Sequence, residues 1–92
     1  MTVRSVVVVN RLGMHARAAA KFVHMATRYQ SHIRVERDGR EMDGKSIMGL
    51  LLLAAARGTT IRISAEGGDE AEAVAALAQL VQTGFGEDVC SV

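Results

Sequence analysis

The sequence of 92 residues contains no proline, no tryptophan, one cysteine, two phenylalanines and one tyrosine. The single Cys90 cannot form an internal disulfide, so we expect a reduced compartment, the cytoplasm. No apolar stretch reaches the roughly 20 residues of a membrane helix, and the run at 6–9 is too short for a signal peptide. The formal net charge of +1 lacks the basic excess of nucleic-acid-binding domains. We therefore expect a soluble protein that neither binds nucleic acid nor inserts into membranes.

The composition that remains is typical of a small globular protein. Apolar residues make up 49% of the chain, which is too many for a disordered segment. A chain of this length buries one modest core, so we expect a single domain over residues 1–92. The tail from Glu87, which includes Cys90, is expected to be loose.

Hydrophobic spacing predicts seven elements. Strands are predicted at 3–9, 32–37, 40–43 and 59–65, where apolar and polar residues alternate or β-branched residues cluster. Helices are predicted at 16–28, 46–53 and from Asp69 to a break at Gly84, and Asp38-Gly39 predicts a hairpin turn. The order βαββαβα indicates an α+β fold: a two-layer open-faced sandwich in which helices cover one face of a four-stranded antiparallel sheet.

Helix ends have their own local signals. Ser46 is a favoured residue for the amino-terminal cap of the second helix, and Arg57-Gly58 predicts its end. Asp69 and Glu72 have the spacing of a capping box at the start of the last helix.

His15 is the first candidate functional residue, in the segment Leu12-Gly13-Met14-His15-Ala16-Arg17. The first amides of a helix lack intrahelical acceptors, and the helix dipole adds partial positive charge, so this end favours anions. A phosphoryl group on the imidazole would meet the amides near Ala16 and Arg17, and the Arg17 guanidinium suits phosphate. The same field favours the neutral, nucleophilic imidazole. Gly13 permits backbone conformations that other residues resist.

The residues alone leave other interpretations of His15 open. A single histidine near a helix start is more often an ordinary surface residue than a nucleophile. A binding module without chemistry of its own is a second alternative. A metal site formed with His24 and His32 is disfavoured, since His15 and His24 lie too far apart along one helix and no cysteine pair or carboxylate cluster assists them. An enzyme with independent turnover is not expected, because no combined set of acid, base and nucleophile is visible.

Two motifs resemble one known family. The segment Leu12-Gly13-Met14-His15-Ala16-Arg17-Ala18-Ala19-Ala20-Lys21-Phe22-Val23 resembles the active-site segment of the histidine phosphocarrier (HPr) family of the bacterial phosphoenolpyruvate phosphotransferase system. Gly44-Lys45-Ser46-Ile47-Met48-Gly49 resembles that family's second motif. The resemblance extends over nearly the whole chain. Within the family, the residues around His15 and the segment 83–88 are most similar to those of the nitrogen-related branch, called NPr.

This resemblance implies a phosphoryl carrier without a cofactor or metal. Enzyme I would phosphorylate His15 at the ring nitrogen nearer the backbone, Arg17 would steady the phosphoryl group, and an enzyme IIA component would receive it. Ser46 would be a regulatory site for HPr kinase/phosphorylase. The chain departs from the family at Ala18, where proline is usual; the additional N–H there is expected to join those of Ala16 and Arg17 around phosphate.

The resemblance also implies a docking surface for these partners. We define the docking face as the predicted contact residues on the first two helices. They are Ala20, Lys21, His24, Ile47, Met48 and Leu51. An apolar centre with a basic rim suits an acidic partner. The sequence leaves open that Ile47 and Met48 fill the core instead, as methionine often does. Because one face would serve two partners in turn, we expect a monomer.

Overall fold

A computed structural model describes residues 1–86 of the chain. The tail that begins at Glu87 and includes Cys90, predicted to be loose, lies outside the described residues. The elements occur in the predicted order βαββαβα. They are β1 (Thr2–Val7), α1 (Ala16–Ala26), β2 (His32–Arg37), β3 (Arg40–Asp43), α2 (Ile47–Leu52), β4 (Thr60–Glu66) and α3 (Glu70–Gln82), followed by a 3₁₀ turn at Gly84–Gly86. Among residues 1–86, no helix is long and apolar enough to cross a bilayer.

The four strands form one antiparallel sheet in the order β1-β4-β2-β3. In β2 and β4, Ile33, Val35, Ile61 and Ile63 are fully buried while the residues between them face outward, as alternation requires. The Asp38-Gly39 hairpin has φ of 50° and 82°, the two positive values of a type I′ turn. The predicted antiparallel, open-faced sheet is therefore confirmed.

The three helices cover one face of the sheet and share its core. The buried helix residues lie on one stripe of each helix, as expected for helices that cover one face of a sheet. They include Ala18, Ala19 and Phe22 of α1, Leu50 of α2, and Val74, Leu77 and Val81 of α3, with Phe85 added by the 3₁₀ turn.

The second helix ends at Leu52, within one residue of the predicted span 46–53, but Arg57-Gly58 does not form its end. Ala54, just after the helix, has a left-handed backbone with φ of 51°. Two arginines of the β2–β3 hairpin fix this end: Arg37 donates to the Leu53 carbonyl at 2.8 Å and Arg40 to the Leu52 carbonyl at 3.3 Å. These distant cations substitute for a local cap.

The predicted capping box at Asp69 is also wrong, because its carboxylate binds the connection between α1 and β2 instead. It accepts hydrogen bonds from the Gln30 amide at 2.9 Å, from the Ser31 amide at 3.0 Å and from the Ser31 hydroxyl. The Ser31 hydroxyl, followed by the Gln30 amide, lowers the pKa of Asp69. Asp69 thus fastens two distant connections together.

Glu70 fixes the amino-terminal strand to α3. Its carboxylate accepts a hydrogen bond from the Thr2 hydroxyl at 2.6 Å and lies 3.1 Å from the Met1 ammonium. The Thr2 hydroxyl, together with the Gly67 amide and the amino terminus, lowers the pKa of Glu70.

Candidate functional site

The loop between β1 and α1 is shaped by the buried residue Asn10. Its side-chain amide donates to the Gly13 carbonyl at 2.7 Å, and the same oxygen accepts the His15 amide at 2.9 Å. The Gly13 amide in turn donates to the Asn10 carbonyl at 3.1 Å. These three bonds form a tight turn whose last residue is His15.

Gly13 lies directly against the connection between α2 and β4. It has φ of 68°, and a Cβ there would lie 2.6 Å from the Ala55 oxygen and 2.9 Å from the Ala56 Cα. The next amide, of Met14, donates to that Ala55 oxygen at 2.9 Å. Only glycine satisfies both the conformation and the close approach, so the loop that presents His15 is held by backbone contacts.

His15 is the amino-terminal cap residue of α1, with extended φ and ψ of −80° and 179°. Its carbonyl accepts the first intrahelical hydrogen bond, from Ala19 at 2.8 Å, and its half-buried side chain does not cap the helix. Helix geometry leaves the amides of Ala16, Arg17 and Ala18 without intrahelical acceptors. No acidic residue lies in this first turn, so the field there favours an anion.

Arg17 and Ala18 differ in how the fold uses them. Arg17 is exposed, and no hydrogen bond or ion pair to the rest of residues 1–86 holds its guanidinium. The Ala18 methyl group is fully buried in the core, while its N–H belongs to the open first turn. Arg17 and Ala18 therefore both belong to the first helical turn after His15.

The short helix α2 is fixed at its start as well as at its end. Ser46 is its cap residue, as predicted, and its hydroxyl accepts the Gly49 amide at 3.1 Å. The neighbouring Lys45 ammonium donates to the Tyr29 carbonyl at 2.7 Å, just beyond α1. With Arg37 at the other end, α2 is tied to α1 and to the β2–β3 hairpin.

The apolar residues of the docking face differ in exposure. Met48 is 67% and Ile47 is 43% exposed, so both lie outside the core. Leu51 and Ala20 are half-buried. Since α1 packs against α2, these residues lie on two neighbouring helices, and the first of the two begins directly after His15.

The basic residues of the docking face form part of one exposed row on α1. Arg17, Lys21, His24 and Arg28 are all exposed. The Lys21 ammonium donates to the Phe85 carbonyl at 2.8 Å, so its position is fixed by the 3₁₀ turn after α3.

The three histidines occupy separate places, at the cap of α1, in its last turn and at the start of β2. Within residues 1–86, no cluster of three histidine, cysteine, aspartate or glutamate side chains could hold a metal ion.

Four residues bear on the site although the sequence analysis assigned them no role in it. Leu12 and Leu52 are 68% and 56% exposed and enlarge the apolar surface in the loop and on α2. Asn10 and Arg37 position the loop and α2. For Asn10, the glycine three residues later is a weak local signal. Nothing local predicts the exposure of Leu12 and Leu52 or the contact made by Arg37.

Comparisons with known proteins identify the family of the chain. The family model described as "PTS HPr component phosphorylation site" matches residues 2–83. A phosphocarrier protein HPr from Neisseria meningitidis is 46% identical over 87 residues, covering 95% of this chain and 98% of the relative. The crystal structure of an HPr from Thermoanaerobacter tengcongensis has a TM-score of 0.92 at 42% identity, covering 96% of this chain and 99% of that one.

Similar structures also include a dimer. The Bacillus subtilis catabolite repression protein Crh, solved as a domain-swapped dimer, has a TM-score of 0.74 at 43% identity and covers 91% of this chain and 97% of its own. The relatives are named as HPr without distinction of branch, so the assignment to NPr stays a prediction. The chain belongs to the HPr family, the phosphocarrier proteins of the phosphotransferase system.

Proposed function

We propose that the chain acts as one phosphocarrier domain that accepts a phosphoryl group from phospho-Enzyme I on His15 and passes it to an enzyme IIA component. The observation that supports this most is the position of His15 as cap residue of α1, beside the open amides of the first turn. We place the protein in the cytoplasm, and we propose that it works as a monomer on the nitrogen-related branch.

The transfer needs only this chain's imidazole and its surroundings. In the tautomer that has its proton on Nε2, the Nδ1 lone pair attacks phosphorus; the N–P bond forms as the bond to the donor breaks. The phosphoryl oxygens are stabilised by the amides of Ala16, Arg17 and Ala18 and by the Arg17 guanidinium. Transfer to the acceptor reverses these steps, so no cofactor is required.

The docking face supports recognition of acidic partners that have an apolar centre. Ile47 and Met48 expose apolar surface, and Arg17 and His24 lie on the neighbouring exposed side of α1. Opposite charge mainly accelerates the encounter, while apolar contacts sustain it.

Ser46 supports a regulatory role through the same face. A phosphate on its hydroxyl would add about −1.5 to −2 charges next to Ile47 and Met48 and would repel an acidic partner. HPr kinase/phosphorylase with ATP should phosphorylate the wild type and not Ser46→Ala, and prior phosphorylation should slow transfer to His15. Equal rates before and after phosphorylation would contradict this role.

The central experiment is intact mass after incubation with Enzyme I and phosphoenolpyruvate. We expect one acid-labile phosphate on the wild type and on His32→Ala, which removes an exposed histidine at the far start of β2, and none on His15→Ala. Absence of phosphate on the folded wild type, with Enzyme I active on another carrier, would refute the proposal and favour a binding module without chemistry.

A further inference from the structure

The methionines of the chain differ sharply in their surroundings. Met14 is only 5% exposed, and Met25 and Met42 pack partly buried against the core. Met1 is at the amino terminus, where its ammonium lies beside Glu70. Met48, at 67% exposure, is the one methionine inside a helix of the described residues whose side chain is mainly in solvent.

Met48 also occupies the apolar centre of the docking face. It follows Ile47 in α2, and Leu52 of the same helix is exposed as well. Of these three side chains, the thioether is the one that mild oxidants attack. A chemical change at this sulfur would alter the surface that partners contact and leave the core untouched.

We propose that Met48 is an oxidation site through which peroxide reversibly weakens phosphoryl transfer; this inference rests on the proposed function. The sulfur lone pair attacks one oxygen of hydrogen peroxide, the S–O bond forms as the O–O bond breaks, and water leaves. The product is methionine sulfoxide, which methionine sulfoxide reductases convert back to the thioether; a dithiol supplies the two electrons and becomes a disulfide, and the oxygen leaves as water.

The physical consequence follows from the exposure. Sulfoxide formation turns a flexible apolar side chain into a polar one. Because Met48 makes few core contacts, the fold should keep its stability. A partner that buries this side chain would instead have to desolvate the new S=O group, which costs affinity unless it is hydrogen-bonded.

The test compares the rate of His15 phosphorylation of each protein after peroxide treatment with the rate of the same protein before treatment. All variants are made in a Cys90→Ser background, so that thiol oxidation cannot contribute. Peptide mapping by mass spectrometry gives the sulfoxide fraction at every methionine after limited peroxide treatment. The initial rate of His15 phosphorylation by Enzyme I gives the effect, with Met48→Leu as the resistant variant and Met42→Leu as its matched, still sensitive control.

We expect Met48 to oxidise before Met14, Met25 and Met42. The phosphorylation rate should fall about fivefold or more as the Met48 sulfoxide accumulates, as for a contact residue at the centre of an interface. The reductases should restore the rate, Met42→Leu should respond like the background, and Met48→Leu should keep its own untreated rate.

Three results would overturn the inference. They are slower oxidation of Met48 than of the half-buried methionines, an unchanged rate at full Met48 oxidation, and an equal loss in Met48→Leu. If the untreated protein accepts no phosphate, the proposed function itself fails and the inference fails with it, so the two failures are told apart by the untreated sample.

Discussion

Replacing Gly13 by alanine tests whether backbone contacts hold the His15 loop. The new Cβ would lie 2.6 Å from the Ala55 oxygen and 2.9 Å from the Ala56 Cα, on a residue with φ of 68°. The matched control is Gly39→Ala in the β2–β3 hairpin, where φ is 82° and a Cβ would meet no atom within 4 Å. Both variants incur the left-handed backbone cost, and only Gly13→Ala adds a clash.

The expected losses in the free energy of unfolding follow from these distances. The left-handed conformation costs an L-residue about 1–2 kcal/mol, which is the expected loss for Gly39→Ala. Gly13→Ala adds an overpacking cost of about 1–3 kcal/mol, because the clashing atoms are backbone and cannot rotate away. Its total loss should therefore be about 2–5 kcal/mol.

Urea titrations at one temperature measure both losses, and Enzyme I phosphorylation measures the function of the folded fraction. We expect Gly13→Ala to be phosphorylated more slowly even when fully folded, because relief of the clash displaces Met14 from Ala55 and moves His15. Gly39→Ala should be phosphorylated like the wild type. Equal stability losses and equal rates in the two variants would refute the reasoning.

Three further predictions concern the supports of the site and its docking face. Arg37→Met should lower the free energy of unfolding, measured in urea, by about 1–2 kcal/mol, because the Leu53 carbonyl loses its charged donor. The control Arg34→Met removes an exposed ion pair with Glu41 and should cost under about 1 kcal/mol. Equal losses in the two variants would contradict the role of Arg37. Stability should fall as the pH drops below about 5, since Asp69 and Glu70 have lowered pKa values in the native state and the unfolded chain then binds more protons. Thermal melts of Asp69→Asn should show a weaker dependence of stability on acid pH. A dependence equal to that of the wild type would contradict the contribution of Asp69. Met48→Asp should slow phosphorylation of His15 several-fold through lost apolar contact while thermal melts stay close to wild type, and a large loss of stability would place Met48 in the core.

The fold was predictable because its signals are local and mutually consistent. The alternation of Ile61 and Ile63 with polar residues, the spacing of Phe22 with its alanine neighbours, and the Asp38-Gly39 pair each require a single structure over a few residues. Antiparallel pairing then follows from one covered face and one open face.

The two features that the sequence predicted incorrectly, the residues that end α2 and the role of Asp69, depend on partners far away in the chain. Arg37 and Arg40 end α2 from 16 and 12 residues before it, and no local pattern contains that contact. Ala54 takes a conformation that sequence preferences assign to glycine. Asp69 has the spacing of a cap residue, but its carboxylate binds Ser31, 38 positions earlier.

The candidate site divides in the same way. His15 and Arg17 are neighbours at a strand-to-helix transition, so their shared place was readable from the sequence. The exposure of Leu12 and Leu52 could not be predicted from the sequence, because leucine occurs both in cores and on surfaces. Only the packed structure distinguishes the two positions.

The alanine at position 18 gains a physical explanation from these contacts. A proline in the first helical turn would fix φ of that residue and stiffen the start of α1. In this chain the same region is fixed from both sides: Gly13 and Met14 are held against Ala55, and the Ala18 methyl group is buried in the core. The start of α1 is thus held by tertiary contacts in the absence of a proline. The replacement also leaves an N–H in the first turn, one more donor where the phosphoryl oxygens of phosphorylated His15 are proposed to lie.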